Sequence, residues 1–312
     1  MRNAFASEMT SLASEDNRIV LLSGDIGNRL FDDYKSHAPD RFINCGIAEA
    51  NMIGVASGMA MCGLRPIAYT ITPFITARCY EQIKVDVCYH NLPVIIVGVG
   101  GGLSYAELLS THHSCDDIAL LRILPNMTVI CPSDSHEVRA ALRAAVEHGG
   151  PVYIRLGKKN EPLIHEKQPE FTIGKGIVIR EGRNVCMLST GNLMPLALET
   201  AAMFGDAGIS ARVVSFHTVK PLDEDLLTDA FNSFDVVITL EEHGLLGGFG
   251  SSVSEWLVKR PAARADLLQI GVDDVFCYEA GKQEDARRTF NITKESIVER
   301  TRELYRQRSQ KV

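Results

Sequence analysis

Short runs of β-branched and aliphatic residues alternate along the chain with longer segments of helical periodicity. In the first half the runs are IVLL (19–22), PIAY (66–69), PVIIVGV (93–99), MTVIC (127–131) and PVYIRL (151–156). Segment 134–150 predicts a helix, with Asp134 at its start, Glu137 three residues on, and a Gly149-Gly150 stop. Strands that alternate with helices predict an α/β fold, with a mainly parallel sheet covered by helices.

The same alternation returns in the second half of the chain. The segment KKNEPLIHEKQPEF (158–171) is polar, holds two prolines and shows no period, which indicates a linker. Beyond it, runs NVCMLS (184–189), ARVVS (211–215), DVVITL (235–240) and DLLQIG (266–271) predict further strands, and 193–204 and 293–308 predict helices. We therefore expect two α/β domains, at residues 1–160 and 172–312, joined by a linker at 161–171.

Composition and charge argue against several classes of partner. The 312 residues are 46% hydrophobic, enough for two buried cores. A net charge of −7, without long charged runs, argues against nucleic acid or an anionic membrane as the main partner. No apolar run approaches the roughly 18 residues that span a bilayer, and the N-terminal stretch lacks an apolar signal core. We therefore expect a cytoplasmic protein with no membrane contact.

The eight cysteines stand singly, with no Cys-x-x-Cys pair and no histidine-rich cluster beside them. This spacing is typical of a reducing compartment and argues against a zinc site. No residue of this chain is predicted to bind a metal.

Two glycine-rich turns follow predicted strands. Glycines 100–102 invite a dinucleotide-binding interpretation, but the spacing puts Leu103 at the third required glycine, and no helix pattern begins there. A turn close to a bound ring or a neighbouring chain explains these glycines as well. The second cluster, in 241–257, precedes an amphipathic helix without a phosphate-binding lysine, so a strand-to-helix turn is favoured.

Segment CGIAEANMIGVASGMAMCG (45–63) carries a single carboxylate, Glu49, near the start of an apolar helix. A charge there is costly without a partner, although an acid at a helix N-terminus is also favoured by the helix dipole. Ala50, Gly54 and Gly58 recur every four residues and share one face. That face suits a close helix contact, either within the chain or across a dimer.

The Gly-Ile-Ala-Glu sequence at 46–49 resembles a motif of the thiamine-diphosphate enzymes related to transketolase and deoxyxylulose-phosphate synthase. In that family the glutamate hydrogen-bonds a ring nitrogen of the aminopyrimidine and so helps the cofactor to lose its thiazolium C2 proton. The resemblance implies that Glu49 is catalytic and binds the cofactor, which requires a buried carboxylate. It extends from LLSGDIG (21–27) to FCYEAGKQEDA (276–286), essentially the whole chain.

Other positions take roles from the same resemblance. In TPFITARCYEQI (72–83), Phe74 falls where a phenylalanine stacks on the aminopyrimidine. Asp25 matches an aspartate on the cofactor side of the first strand, although a turn cap explains it equally well. The run that begins Thr-His at 111–112 makes His112 both a catalytic residue and a contact of the sugar substrates, while His113 replaces a glutamine of the family.

Three basic residues are implied to bind an anionic group of the substrate. Lys158 matches a phosphate-binding arginine of transketolases, and Arg155 matches the basic position of the synthase branch. Arg29 stands in place of a serine that touches substrate phosphate. The resemblance therefore implies that these bases bind a phosphate, sulfonate or carboxylate.

The sequence departs from the family pattern beside the substrate. ELLS (107–110) replaces Glu-Asp-Gly-Pro, so Leu108 stands at an aspartate that contacts substrate hydroxyls. Gly100 stands where the family has a second histidine. A less polar pocket is expected there, which leaves conventional sugar-phosphate substrates an open question.

The Gly-Asp-Gly motif that binds magnesium and diphosphate in this family has no counterpart in the chain; SGDIG (23–27) lacks the second glycine. The resemblance therefore implies a partner, an N-terminal transketolase subunit that holds Mg²⁺ and the diphosphate, in an α2β2 heterotetramer. It predicts transfer of a two-carbon ketol unit between sugar-like substrates. The alternatives are a split deoxyxylulose-phosphate synthase or a 2-oxoacid dehydrogenase β subunit, and, in another class, a non-catalytic binding or regulatory subunit.

Overall fold

The chain forms two parallel-rich sheets covered by helices. A computed structural model describes residues 1–27, 29–260 and 263–309. The strands are β1 (Ile19–Ser23), β2 (Phe42–Asn44), β3 (Arg65–Ile71), β4 (Ile95–Val99), β5 (Thr128–Ile130), β6 (Val152–Leu156), β7 (Ile177–Arg180), β8 (Val185–Ser189), β9 (Ala211–Ser215), β10 (Thr218–Lys220), β11 (Val236–Gly244) and β12 (Asp266–Val272).

The α-helices surround these sheets. They are α1 (Arg2–Glu15), α2 (Asp32–His37), α3 (Glu49–Met61), α4 (Thr72–Ile75), α5 (Tyr80–Gln82), α6 (Asp117–Arg122), α7 (Ser135–His148), α8 (Met194–Asp206), α9 (Glu224–Ser233), α10 (Phe249–Leu257), α11 (Gln283–Thr289) and α12 (Lys294–Ser309). No helix within the described residues has the length and apolar character to cross a membrane.

The first sheet has the order β10-β5-β6-β4-β3-β1-β2 and the second β12-β11-β8-β9-β7. All pairs are parallel except β10 with β5 and β7 with β9. The predicted α/β fold with mainly parallel sheets is confirmed.

The first sheet is buried on both faces, and the side chains of its strands alternate between two cores. Ile95 and Val97 of β4 pack with Phe5 of α1 and Leu142 of α7. Ile96, between them in sequence, points the other way and packs with Met52 of α3. Because both faces of a parallel sheet are covered, its strands are continuously hydrophobic, as the runs in the sequence indicate.

Helix α7 begins and ends where the sequence predicts. The Asp134 carboxylate accepts the backbone N–H groups of His136 and Glu137, each at 2.9 Å, and Gly149 ends the helix with φ +77°. The other oxygen of Asp134 accepts the N–H groups of Ile164 and His165, also at 2.9 Å, so the linker is fixed to this helix cap.

Strand β10 crosses from the second half of the chain into the first sheet. Thr218 and Lys220 pair antiparallel with Ile130 and Val129 of β5, and the register shifts between the two pairs. Lys220 Nζ also donates to the Arg122 carbonyl at 2.9 Å. A three-residue strand leaves too short a pattern for the sequence to reveal it. The first sheet is therefore completed by residues that lie beyond the linker.

Candidate active site

Glu49 is the first residue of α3 and lies at the carboxyl end of the first sheet, just after β2. The turn before it contains Gly46, whose φ of +67° favours glycine. The Glu49 side chain is almost entirely buried, and its Oε2 accepts a hydrogen bond from Arg78 Nη1 at 2.8 Å. The charge that the sequence left without a partner is therefore compensated by an arginine from another segment.

Arg78 and Phe74 belong to an irregular helical segment after β3. It starts with α4, where Pro73 occupies the first turn, continues through a 3₁₀ turn at Ala77–Cys79 and ends as a π-helix at Ile83–Cys88. The Arg78 guanidinium lies over the Phe74 ring, 4.4 Å from its centroid. One cation thus contacts both a carboxylate and an aromatic face.

His112 continues this line of contacts. Its ring is 5.2 Å from the Phe74 ring and 5.7 Å from the Tyr105 ring, and its Nδ1 is 2.9 Å from the Thr111 hydroxyl. Burial lowers the pKa of His112, a shift that the nearby Glu107 carboxylate opposes. The imidazole is therefore mainly neutral at pH 7 and is able to accept a proton.

Tyr105 connects His112 to Lys158. Lys158 Nζ lies 4.5 Å from the Tyr105 ring centroid and forms an ion pair with Glu107. The hydrogen bond from Lys158 lowers the pKa of the Glu107 carboxyl. Lys158 thus presents a partly exposed positive charge near the end of a row of contacts that starts at Glu49 and finishes at Glu107. We call this row, Glu49–Arg78–Phe74–His112–Tyr105–Lys158–Glu107, the contact line.

The position of the Tyr105 ring requires a glycine at position 100. The φ of Gly100 is +79°, and a Cβ added there would lie 2.0 Å from the Tyr105 ring. The ring therefore fills the space that a side chain at position 100 would need. Leu108 is 43% exposed, and its backbone N–H donates to the Tyr105 carbonyl at 2.8 Å; the less polar pocket expected around it stays a prediction.

Arg155 belongs to a separate set of contacts. It is buried, with Nε 2.7 Å from Asp117 Oδ2 and Nη2 donating to the carbonyls of Ser114 at 2.8 Å and Glu242 at 3.0 Å. Burial acts to lower the pKa of Arg155, but the charge and hydrogen bond of Asp117 together with neighbouring groups outweigh it, and the net shift of the pKa is upward. The guanidinium joins the two halves of the chain through these contacts, which occupy its Nε and Nη2 donors.

Asp25 and Arg29 lie on exposed loop positions. Asp25 has φ +56°, and its Oδ1 accepts from Asn44 Nδ2 at 2.9 Å; the Asn44 side-chain oxygen in turn accepts the N–H of Gly46 at 2.9 Å. Asp25 thereby supports the turn that leads to Glu49. Arg29 is exposed, and within the described residues no contact joins its side chain to the contact line.

A cavity of about 420 Å³ opens between the two halves of the chain. His113, Cys115 and Phe276 are among the residues that line it, whereas Glu49, Phe74 and His112 are not. Burial lowers the pKa of His113, and its Nε2 has no hydrogen-bond partner among the described residues. Within that same set, no cluster of three or more His, Cys, Asp or Glu side chains is arranged to hold a metal ion.

Four residues that the sequence predicts for the site, Glu49, Phe74, His112 and Lys158, lie on the contact line. Sequence reasoning did not single out Arg78 and Tyr105, which link them. Arg78 is four residues after Phe74, the spacing that puts two side chains on one helical face, so this spacing was an available signal. Tyr105 lies in a turn with no periodic pattern. The glycine at position 100, which leaves space for a bulky neighbour, was the one available signal.

Comparison with known proteins places this arrangement in a class of two-domain α/β proteins. Residues 1–162 match the transketolase pyrimidine binding domain, and residues 174–297 match the transketolase C-terminal domain. The 6-deoxy-6-sulfo-D-fructose transketolase subunit of Clostridium sp. is 35% identical over 97% of this chain and 94% of its own. An apulose-4-phosphate transketolase subunit from Actinobacillus succinogenes is 36% identical over 84% of each chain.

A solved structure, described as a split gene transketolase in an inactive beta4 tetramer, superposes with a TM-score of 0.89. It is 34% identical and covers 97% of both chains. The present chain therefore belongs to the transketolase family. Membership of this family implies thiamine diphosphate as the cofactor.

Proposed function

We propose that the chain is the C-terminal subunit of a split transketolase and that Glu49, Phe74 and His112 form its half of the active site. The observation that carries the proposal is the buried Glu49 carboxylate, which lies next to the Phe74 ring through a shared contact with Arg78. A flat heterocycle that carries N–H donors requires such a pair, a buried acceptor beside an aromatic face. Relatives that match the chain over most of their length are themselves named as transketolase subunits.

Glu49, Phe74 and His112 have separate roles in this proposal. When bound, thiamine diphosphate supplies a nucleophilic carbon that accepts a two-carbon ketol unit. Glu49 holds a ring nitrogen of the aminopyrimidine, and Phe74 packs against its face. His112 is mainly neutral because burial lowers its pKa, so it is able to take a proton from a sugar hydroxyl and return it.

The substrate anion is assigned to Lys158, with Arg29 as a second contact. Lys158 is partly exposed near the end of the contact line, next to His112 through Tyr105. The relatives named for a sulfo-sugar and for a sugar phosphate both act on anionic substrates by their names. We propose a sugar-like substrate with a terminal phosphate, sulfonate or carboxylate, and we assign Arg155 to the contact between the two halves of the chain.

The chain needs a partner subunit under this proposal. A diphosphate-binding subunit would hold the cofactor's diphosphate and Mg²⁺, because the chain lacks the sequence motif for them. We propose that residues 1–160 bind the pyrimidine, that 172–312 form the C-terminal domain, and that two copies of each subunit assemble in the cytoplasm. Asp25 accepts a hydrogen bond from Asn44 and thereby holds the turn before Glu49, on the side of the sheet where we propose that the cofactor binds.

Reconstitution with the diphosphate-binding subunit, thiamine diphosphate and Mg²⁺ tests the proposal. We expect ketol transfer, and we expect Glu49→Gln to reduce kcat at least about 100-fold, because the amide cannot share the proton that activates the cofactor. Glu224→Gln is the matched control, since Glu224 also pairs with an arginine, Arg260 at 2.6 Å, on the exposed surface of α9.

The results separate the candidate functions. Equal rates for Glu49→Gln and the control would overturn the assignment of Glu49. Decarboxylation of pyruvate without ketose turnover would favour the synthase or dehydrogenase alternative, and cofactor binding without any turnover would favour a regulatory subunit.

A further inference from the structure

Arg78 contacts both residues through which, on the proposed function, the chain holds the aminopyrimidine. Its Nη1 is 2.8 Å from Glu49 Oε2, and its guanidinium carbon is 4.4 Å from the Phe74 ring centroid. One planar group therefore makes the carboxylate contact and the stacking contact at the same time.

The guanidinium and an aminopyrimidine present similar chemistry to these two residues. Both are flat and rich in nitrogen, both donate N–H groups in the plane, and both pack a π face on an aromatic ring. The Phe74 ring is half-buried, and Glu49 is almost fully enclosed, so a second planar group has little room beside the first. The guanidinium and the heterocycle compete for the same carboxylate and the same ring.

Arg78 is the one member of this trio that is free to leave. Its side chain is 46% exposed, whereas that of Glu49 is 2% exposed. It stands on the short 3₁₀ turn Ala77–Cys79, between α4 and α5. Rotation about its side-chain bonds carries the guanidinium into solvent without moving the backbone.

We propose that Arg78 is a stand-in for the aminopyrimidine: it occupies the site while the cofactor is absent and withdraws when the cofactor binds. This rests on the proposed function and adds a residue that determines cofactor affinity. The cofactor must displace an ion pair and a cation–π contact, so its apparent affinity falls by the fraction of subunits in which Arg78 is still in place.

Calorimetric titration of the reconstituted complex with thiamine diphosphate, at fixed Mg²⁺, tests this inference without measuring turnover. We expect Arg78→Ala to bind the cofactor about five- to tenfold more tightly than the unmodified complex, because nothing has to be displaced. Arg260→Ala is the matched control: Arg260 lies 4.1 Å over the Trp256 ring and pairs with Glu224, but it stands outside the contact line. This control is expected to bind the cofactor with unchanged affinity.

A second measurement follows Arg78 itself. Phenylglyoxal reacts with exposed guanidinium groups, and mass spectrometry of the digested complex reports the extent of reaction at each arginine. Addition of thiamine diphosphate and Mg²⁺ is expected to increase the reaction at Arg78 and to leave Arg260 unchanged.

Unchanged cofactor binding by Arg78→Ala would show that Arg78 does not compete with the cofactor. Weaker binding, or protection of Arg78 from phenylglyoxal by the cofactor, would show that Arg78 contacts the cofactor directly. Each of these results would overturn this inference and leave the proposed function standing. Absence of cofactor binding in the unmodified complex and in Arg78→Ala would overturn the proposed function together with it.

Discussion

The Lys158 ammonium is held by two different groups, the Tyr105 ring face and the Glu107 carboxylate. Lys158 is more buried than Glu107, whose side chain is 53% exposed. On the proposed function, a substrate anion that reaches Lys158 has to exchange with Glu107, while the Tyr105 ring keeps the ammonium in place. Ion pairs of this exposure contribute little to folding, so substitutions of Lys158 or Glu107 are expected to leave the stability of the chain nearly unchanged.

Substitution of the two charged residues is expected to have opposite effects in the reconstituted enzyme. Lys158→Gln should raise the KM for an anionic sugar about tenfold with little change in kcat, because a binding charge is lost. Glu107→Gln should lower that KM about two- to fivefold, because the competing carboxylate is gone. Steady-state kinetics with an anionic and an uncharged acceptor measure both effects.

Lys175→Gln is the matched control, since Lys175 pairs with Asp225 at 2.7 Å outside the contact line. It is expected to leave both KM values unchanged. A higher KM for Glu107→Gln would mean that Glu107 orients Lys158 rather than competing with the substrate.

At the residue scale, family motifs single out candidate site residues but do not predict the contacts that these side chains make with one another. Motifs record residue types such as the glutamate at position 49, and the structure brings Glu49, Phe74 and His112 into one row. Whether Arg155 faces outward depends on Asp117, which is 38 positions away in sequence, and no local pattern encodes that pairing.

At the scale of elements, Asp134 fixes a helix and the linker together. Its carboxylate is fully buried and accepts four backbone N–H groups, two from the start of α7 and two from residues 164–165. The helix cap was predictable, because the spacing of Asp134 and Glu137 is local. The linker contacts were not, because they join residues about 30 positions apart, across α7 and β6, and the polar linker has no periodic pattern to indicate them.

Asp134→Ala is expected to reduce the free energy of unfolding by about 2–4 kcal/mol, because the helix loses its cap and two linker N–H groups lose their acceptor. Urea denaturation measures the loss, and hydrogen exchange should show faster exchange at residues 164–165. Asp223→Ala is the comparison, because Asp223 caps α9 through Leu226 N at 3.1 Å and does not contact those residues. Equal exchange at 164–165 in both variants would contradict the linking role of Asp134.

At the scale of the whole molecule, the face of α3 that carries Gly54 and Gly58 has no partner among the residues that the structure describes. A Cβ added at Gly54 or Gly58 would meet no atom within 4 Å among the described residues. Val55 and Met61 on the same helix are 36% and 58% exposed. Of the two contacts that the sequence predicts for this face, the one with a neighbouring chain is the one these observations support.

Gly54→Leu is expected to leave folding of the chain intact, or to stabilise α3 by up to about 1 kcal/mol, and to weaken assembly at least about tenfold. Circular dichroism on heating checks the fold, and sedimentation velocity of the chain mixed with its partner measures assembly. Ala202→Leu, at an exposed position of α8, is the matched control. Assembly that is equally strong in both variants would show that this face remains open to solvent.

Because of strand β10, the polypeptide cannot be cut at the linker into two complete domains. The linker looks like a natural place to separate two modules, yet the outermost strand of the first sheet is contributed from beyond it. A fragment that ends at the linker would carry β5 as an unprotected edge, with open backbone groups ready to pair with another chain. The first half of the chain therefore contains six of the seven strands of its sheet, and the seventh comes from the second half. Only a gene that keeps both halves in one polypeptide encodes the complete sheet.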